Sequence, residues 1–164
     1  MKFFHIFLFI ILCALVICGT CSYSAANWNK NIQQKHNKSA QEIIDLAKSE
    51  FDNYNYKKAI SLYKQALRLK PSNPEDIYLY IGISYNLSDQ YKKAIKPLNK
   101  SIEISSDNSS AFYNRGFAYY KLKQTDKAKE DFKKAIEINK PIYQHEIKKS
   151  RNLLEHIEFL ESCE

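Results

Sequence analysis

Glycine and proline are scarce in this chain, three and four in 164 residues, too few for the many tight turns of an all-β fold. Long helices are therefore expected. Cysteine is scarce where a domain would use it: Cys13, Cys18 and Cys21 lie within the first 26 residues and only Cys163 falls in the remainder. That excludes a disulfide framework and a cysteine metal site. No Gly-rich phosphate loop, nucleophile motif or zinc spacing occurs. His145 and His156 would lie about 16 Å apart along a helix, too far to share a metal. Glu155 and Glu158 beside His156 are spaced for one solvated helix surface rather than for acid/base work in a cleft. The expectation is a protein that is not an enzyme, with no cofactor and no metal.

At 45% apolar residues the chain fits one modest domain behind a leader. A net charge of +7 and a pI near 9.1 raise nucleic acid, anionic membranes and acidic proteins as partners. The excess is spread out, however: segments 27–39 and 109–142 are the most basic, while 75–108 and 143–164 are net acidic. Lys57/Lys58, Lys92/Lys93 and Lys133/Lys134 are pairs, not runs, and acids such as Glu130, Asp131 and Glu137 alternate with them. They read as solvated faces whose stems cover apolar surface. Nucleic acid is not an expected partner. Electrostatic binding of an anionic membrane surface or acidic partner through the Lys-rich faces stands as the alternative function, marked by a steep loss with salt.

The long apolar run is Phe3–Cys18, uncharged when His5 is neutral. It is short beside the about 20 residues of a membrane span yet long for a cleaved leader. Small residues follow, Gly19, Thr20, Ser22, Ser24, Ala25 and Ala26, and cleavage after Ser24 or Ala26 is expected. The segment also resembles a bacterial lipoprotein signal, which implies lipidation at Cys18 or Cys21, although Ile17 is bulky where such signals carry a small residue. Residues 1–26 thus read as a signal peptide or membrane anchor, with export to the periplasm, cell envelope or exterior. Residues 27–39 hold only Trp28 and Ile32 as apolar anchors and read as a polar, basic linker. Cys163 or the terminal helix offers a route to a dimer in an oxidising compartment.

From residue 40 the chain repeats. Ala59, Ala94 and Ala128 mark equivalent positions 35 and 34 residues apart, in Tyr56-Lys57-Lys58-Ala59-Ile60, Tyr91-Lys92-Lys93-Ala94-Ile95 and Thr125-Asp126-Lys127-Ala128-Lys129. In the second unit Tyr78, Ile81, Gly82 and Tyr85 share a helix face, and after Ser88-Asp89-Gln90 a second helix carries Ala94, Leu98 and Ser101. Gly82 marks a close crossing, because helix axes come within about 8 Å only where a side chain is nearly absent. The first unit offers Ile43, Leu46 and Ala47, then Ala59, Tyr63, Ala66 and Pro71; the third offers Phe112, Gly116 and Tyr119, then Ala128, Phe132 and Ala135.

This pattern over 40–140 resembles the tetratricopeptide repeat family: an aromatic, Leu-Gly and Tyr, followed by Ala, an aromatic, a small residue and Pro. Departures are Glu50 in a Tyr slot, Arg115 for Leu, and Ser106 and Lys140 for the closing Pro. Pro97, inside a predicted helix, is expected to delay its start or bend it. The resemblance implies an all-α, right-handed superhelical stack of three hairpins, 40–74, 75–108 and 109–140. A C-terminal helix over 141–164, with Ile147, Leu154 and Ile157 on one side joined by Leu153 and Leu160, would cap the stack.

It also implies a concave groove, lined by the first helix of each hairpin, that holds a peptide or helix of another protein. The family's groove slots fall on Gln41, Ile44, Lys48 and Phe51, on Asp76, Leu79, Ile83 and Asn86, and on Ser110, Tyr113, Phe117 and Tyr120. Ile44, Lys48 and Phe51 form an i, i+4, i+7 stripe about 100° from the core-facing one, as do Leu79, Ile83 and Asn86, and Tyr113, Phe117 and Tyr120. The competing reading is that the cap, the Trp28 linker or a second copy covers this stripe. Replacing Tyr113 and Phe117 together with Ala is expected to abolish partner capture without loss of helix. The slots of a carboxylate clamp hold Ile44, Lys48, Tyr80, Ser110 and Asn114, of which only Lys48 is basic, so that sub-mode is not expected.

Overall fold

The computed structural model describes residues 39–138 and 141–163. The leader, Cys18, Cys21, the linker up to residue 38 and Lys140 lie outside the described residues. Helix α1 spans residues 39–52. It is followed by α2 (Tyr56–Arg68), α3 (Pro74–Leu87), α4 (Tyr91–Ile104), α5 (Ser109–Lys121) and α6 (Thr125–Glu137). A short 3-10 turn, Pro141–Tyr143, leads into α7 (Gln144–Glu161). No strand occurs among the described residues.

Each hairpin turns in the same way. Tyr54, Asp89 and Lys123, spaced 35 and 34 residues apart, take positive φ values of 62°, 56° and 57°. The following N–H reaches back across the turn each time: Asn55 to the Glu50 carbonyl at 2.8 Å, Gln90 to Tyr85 at 2.9 Å, Gln124 to Tyr119 at 2.9 Å. This bond satisfies a carbonyl that the helix end would leave orphaned. Between hairpins, Pro74 occupies the first turn of α3, where a missing N–H costs nothing. The Asn108 side chain caps α5 by accepting from the Ala111 N–H.

The core is a chain of clusters, each shared by neighbouring elements. Ala47, Ala59, Tyr63 and Ile81 join α1, α2 and α3; Leu79, Ala94, Leu98, Ala111 and Ala118 join α3, α4 and α5. Ala128, Phe132 and Ile157 join α6 to α7, which closes the stack. Such a stack holds itself through nearest neighbours. A Cβ at Gly82 would stand 2.6 Å from Leu98 Cδ2, and one at Gly116 would stand 2.9 Å from Phe132 Cδ1. The small residues therefore sit where the two helices of a hairpin cross.

Three expectations need correction. Helix α4 is not delayed by Pro97: it starts at Tyr91, held by Ala94, Leu98 and Ser101, all fully buried on one face. Leu46, read onto the core-facing side of α1, is 50% exposed, because among the described residues no hairpin precedes α1 to cover it. Leu160, read onto the core side of α7, is 48% exposed as well, whereas Ile147 and Ile157 are buried.

Candidate partner-binding groove

The first helices α1, α3 and α5 present the residues of the second stripe, and the structure treats them unequally. On α1, Ile44 is buried in the first core cluster, Phe51 is half-buried and Lys48 is exposed. The Phe51 ring meets Tyr56 and Tyr80 edge-on, both at 5.6 Å. The Lys48 ammonium stands 5.9 Å over the Tyr80 ring, a contact that orients the cation without neutralising it. On α3, Leu79 is buried, Ile83 is half-buried against the second cluster and Asn86 is buried. Asn86 Nδ2 donates to the Asn114 carbonyl at 2.8 Å, tying α3 to α5, and its Oδ1 has no partner among the described residues.

On α5 the stripe residues Tyr113, Phe117 and Tyr120 are half-buried. Tyr113 stacks on Phe117 at 6.3 Å and leans on Phe132 at 6.1 Å; Phe117 meets Tyr91 edge-on at 6.2 Å. Helix α7 takes part of this end. Its Lys149 lies 5.7 Å over the Tyr113 ring, and Tyr113 and Tyr120 pack on the cluster that contains Ile157. Tyr113 is thus partly structural, and its loss would disturb the fold as well as any ligand. Burial, and then the charge of Glu146, pushes the Tyr113 phenol up, so it stays a neutral donor.

Five slots meet in one place. Gln41, Ile44 and Lys48 from α1 and Asp76 and Leu79 from α3 line a cleft of about 180 Å3. Its remaining walls are Tyr63, Asn73, Ile77 and Tyr80; of these only Tyr80 falls on a groove slot of the repeat, the one a carboxylate clamp would use, and nothing local marks Tyr63, which reaches the cleft from α2. The Tyr63 side chain is fully buried with no partner for its hydroxyl among the described residues, and burial pushes the phenol up, aided by Tyr80 and Asp52. The cleft mixes one cation, one carboxylate, two amides and two aromatic rings, a set that recognises peptide groups. Among the described residues no three His, Cys, Asp or Glu side chains converge to hold a metal. No helix among them is long and apolar enough to cross a membrane.

Two of the departures from the repeat pattern, Glu50 and Arg115, have structural reasons. Glu50 accepts from Asn55 at 2.9 Å and pairs with Lys58 at 2.6 Å, clasping the first turn; these hydrogen bonds, Lys58 first, hold its carboxyl below the usual range. Arg115 joins three helices, donating to Asp131 on α6 and, through Nη1, to Asn99 on α4 at 2.8 Å. Asp131 is buried; desolvation pushes its carboxyl up and Arg115 works against that.

Comparison with known proteins bears on this geometry. Sequence profiles described as Tetratricopeptide repeat match residues 44–73 and 109–140, and one described as TPR repeat matches residues 82–123. The chain is 36% identical over 83 residues, half of its length, to the Heat-shock protein cognate (HSC) co-chaperone sgt12 of Aspergillus fumigatus. It spans only 24% of that relative. Among solved structures, the first TPR of Spaghetti (RPAP3) bound to the HSP90 peptide SRMEEVD superposes with a TM-score of 0.68, at 19% identity, over 77% of this chain and 95% of that one. PcrH of Pseudomonas aeruginosa, in complex with the chaperone binding region of PopB, gives 0.67 at 12% identity, over 71% and 95%. At these identities the solved structures speak for the fold alone. Profile matches that together cover residues 44–73 and 82–140 identify the hairpins of this chain as tetratricopeptide repeats, and Gly82 and Gly116 stand at the crossings of the second and third.

Proposed function

We propose that this chain is a non-enzymatic adaptor that binds a peptide or helix of a partner protein along the α1–α3–α5 face, outside the cytoplasm. The observation that carries the reading is the cleft between α1 and α3, lined by Ile44, Lys48, Asp76, Leu79 and Tyr80. Side chains buried to either side fix its walls, and a preformed site loses less ordering entropy on binding. The peptide bound to the Spaghetti domain and the PopB region bound to PcrH support the binding class; the sequence SRMEEVD itself is not transferred, since Lys48 alone is basic among the clamp slots. The exported location rests on the leader Phe3–Cys18 and the small residues after it.

Peptides selected from a random display library on the full chain test the reading. Lys48→Glu is expected to weaken a selected peptide by tenfold or more, and Lys133→Glu on α6 to leave it unchanged. Equal binding by Lys48→Glu would remove the cleft from the account. Mass spectrometry of the mature N-terminus tests the location: a start after Ser24 or Ala26, or a lipid on Cys18 or Cys21, is expected. An intact chain in the soluble cytosolic fraction would overturn it.

A further inference from the structure

A second cleft, of about 350 Å3, opens on the opposite flank of α3, between α2 and α4. Four lysines line it, Lys64 from α2 and Lys93, Lys96 and Lys100 from α4, and no carboxylate does. Lys100 is paired with Glu103 at 2.5 Å. Lys64, Lys93 and Lys96 have no ion pair among the described residues. We propose that this cleft binds an acidic peptide segment of a partner protein, seating one aliphatic or aromatic side chain while flanking carboxylates meet Lys64, Lys93 and Lys96.

Three features favour that occupant. Three of the four rim lysines, Lys64, Lys93 and Lys96, have no ion pair among the described residues, so an anionic ligand gains attraction that no intramolecular pair has already used. Lys64 is held in place, its ammonium donating to the Tyr85 hydroxyl at 3.0 Å and standing 5.6 Å over the same ring. A pre-oriented cation loses little rotamer freedom when it pairs. The wall is apolar, formed by Leu67, Tyr78 and Pro97. A bilayer offers headgroups across a flat plane, whereas a concave site of this volume suits an inserted side chain.

The test is fluorescence anisotropy on the full chain with a labelled peptide of one Leu flanked by Glu on both sides. Lys93→Glu/Lys96→Glu is expected to weaken binding by tenfold or more, Lys64→Gln less so, and Lys48→Glu not at all. A peptide with Gln for every Glu, or Ser for the Leu, is expected to bind at least tenfold more weakly. An unchanged circular-dichroism spectrum and melting point in the double variant confirm that the fold is intact. Undiminished binding by the double variant, or equal binding of the Gln or Ser peptide, overturns the proposal. So does a double variant that keeps peptide binding but loses co-sedimentation with phosphatidylserine vesicles, which would give the cleft to a lipid surface.

Discussion

Arg115 and Asp131 join α5 to α6 through two parallel hydrogen bonds, Nε to Oδ2 at 2.8 Å and Nη2 to Oδ1 at 2.6 Å. The carboxylate side chain is 4% exposed and the guanidinium 20%. Restoring the family's Leu at position 115 would leave a buried charge unpaired, which costs about 3–5 kcal/mol, while replacing both partners with apolar residues is often near neutral. Arg115→Leu is therefore expected to lower the urea midpoint sharply, and Arg115→Leu/Asp131→Leu to recover most of the loss. Equal destabilisation by the single and double variants would show that the pair is not what holds this hairpin.

Gly82→Ala sets two effects against each other. Alanine gains about 1 kcal/mol of helix propensity, but its methyl group would overlap Leu98, which is fully buried, and overpacking costs about 1–3 kcal/mol. The clash is expected to win, lowering the melting point. In the Leu98→Ala background the same substitution should become neutral or stabilising. Additive losses in the double variant would contradict the crossing assigned to this pair.

Lys123 ends α5 in the left-handed region, φ 57°, without a glycine's freedom. Lys123→Gly is expected to stabilise by about 0.5–1 kcal/mol, the left-handed penalty less the extra entropy of the unfolded glycine. Lys123→Val should destabilise, since a β-branched residue is strained there. Thermal denaturation of the two variants reads both signs.

Glu50 supplies a pH dependence. Its folded pKa is held below the ordinary 4.5 by hydrogen bonds from Lys58 and then Asn55. A depressed carboxyl stabilises the fold above its unfolded pKa, and that contribution is lost as the pH falls through the folded value. Glu50→Gln is expected to lower stability at neutral pH, with the difference from the unmodified protein shrinking to zero in acid. A constant difference at every pH would show that the clasp does not depend on the charge.

The sequence made the repeat legible because helix crossings demand small residues, and Ala59, Ala94, Ala128, Gly82 and Gly116 repeat at fixed distances. The turns left a fainter trace: their left-handed positions hold Tyr54, Asp89 and Lys123, none a glycine. Arg115 stood out only as a departure, since its partner lies a helix away. Periodicity assigns a face but not a neighbour, which is why Leu46 and Leu160, at the two ends of the stack, were misplaced. The same limit applies to the groove. The stripe placed Ile44, Leu79 and Asn86 with Lys48 and Phe117, yet how closely α1, α3 and α5 approach decides which are buried between helices and which face a ligand.

Amide hydrogen exchange on the full chain, free and saturated with a library-selected peptide, tests the central claim most directly. Slowed exchange is expected in Ile44–Phe51 of α1 and Leu79–Asn86 of α3, extending to Tyr113–Phe117 of α5. The helical amides of α2, α4 and α6 should be little changed. Slowing confined to α2, α4 or α6, with α1 and α3 unaffected, would contradict it.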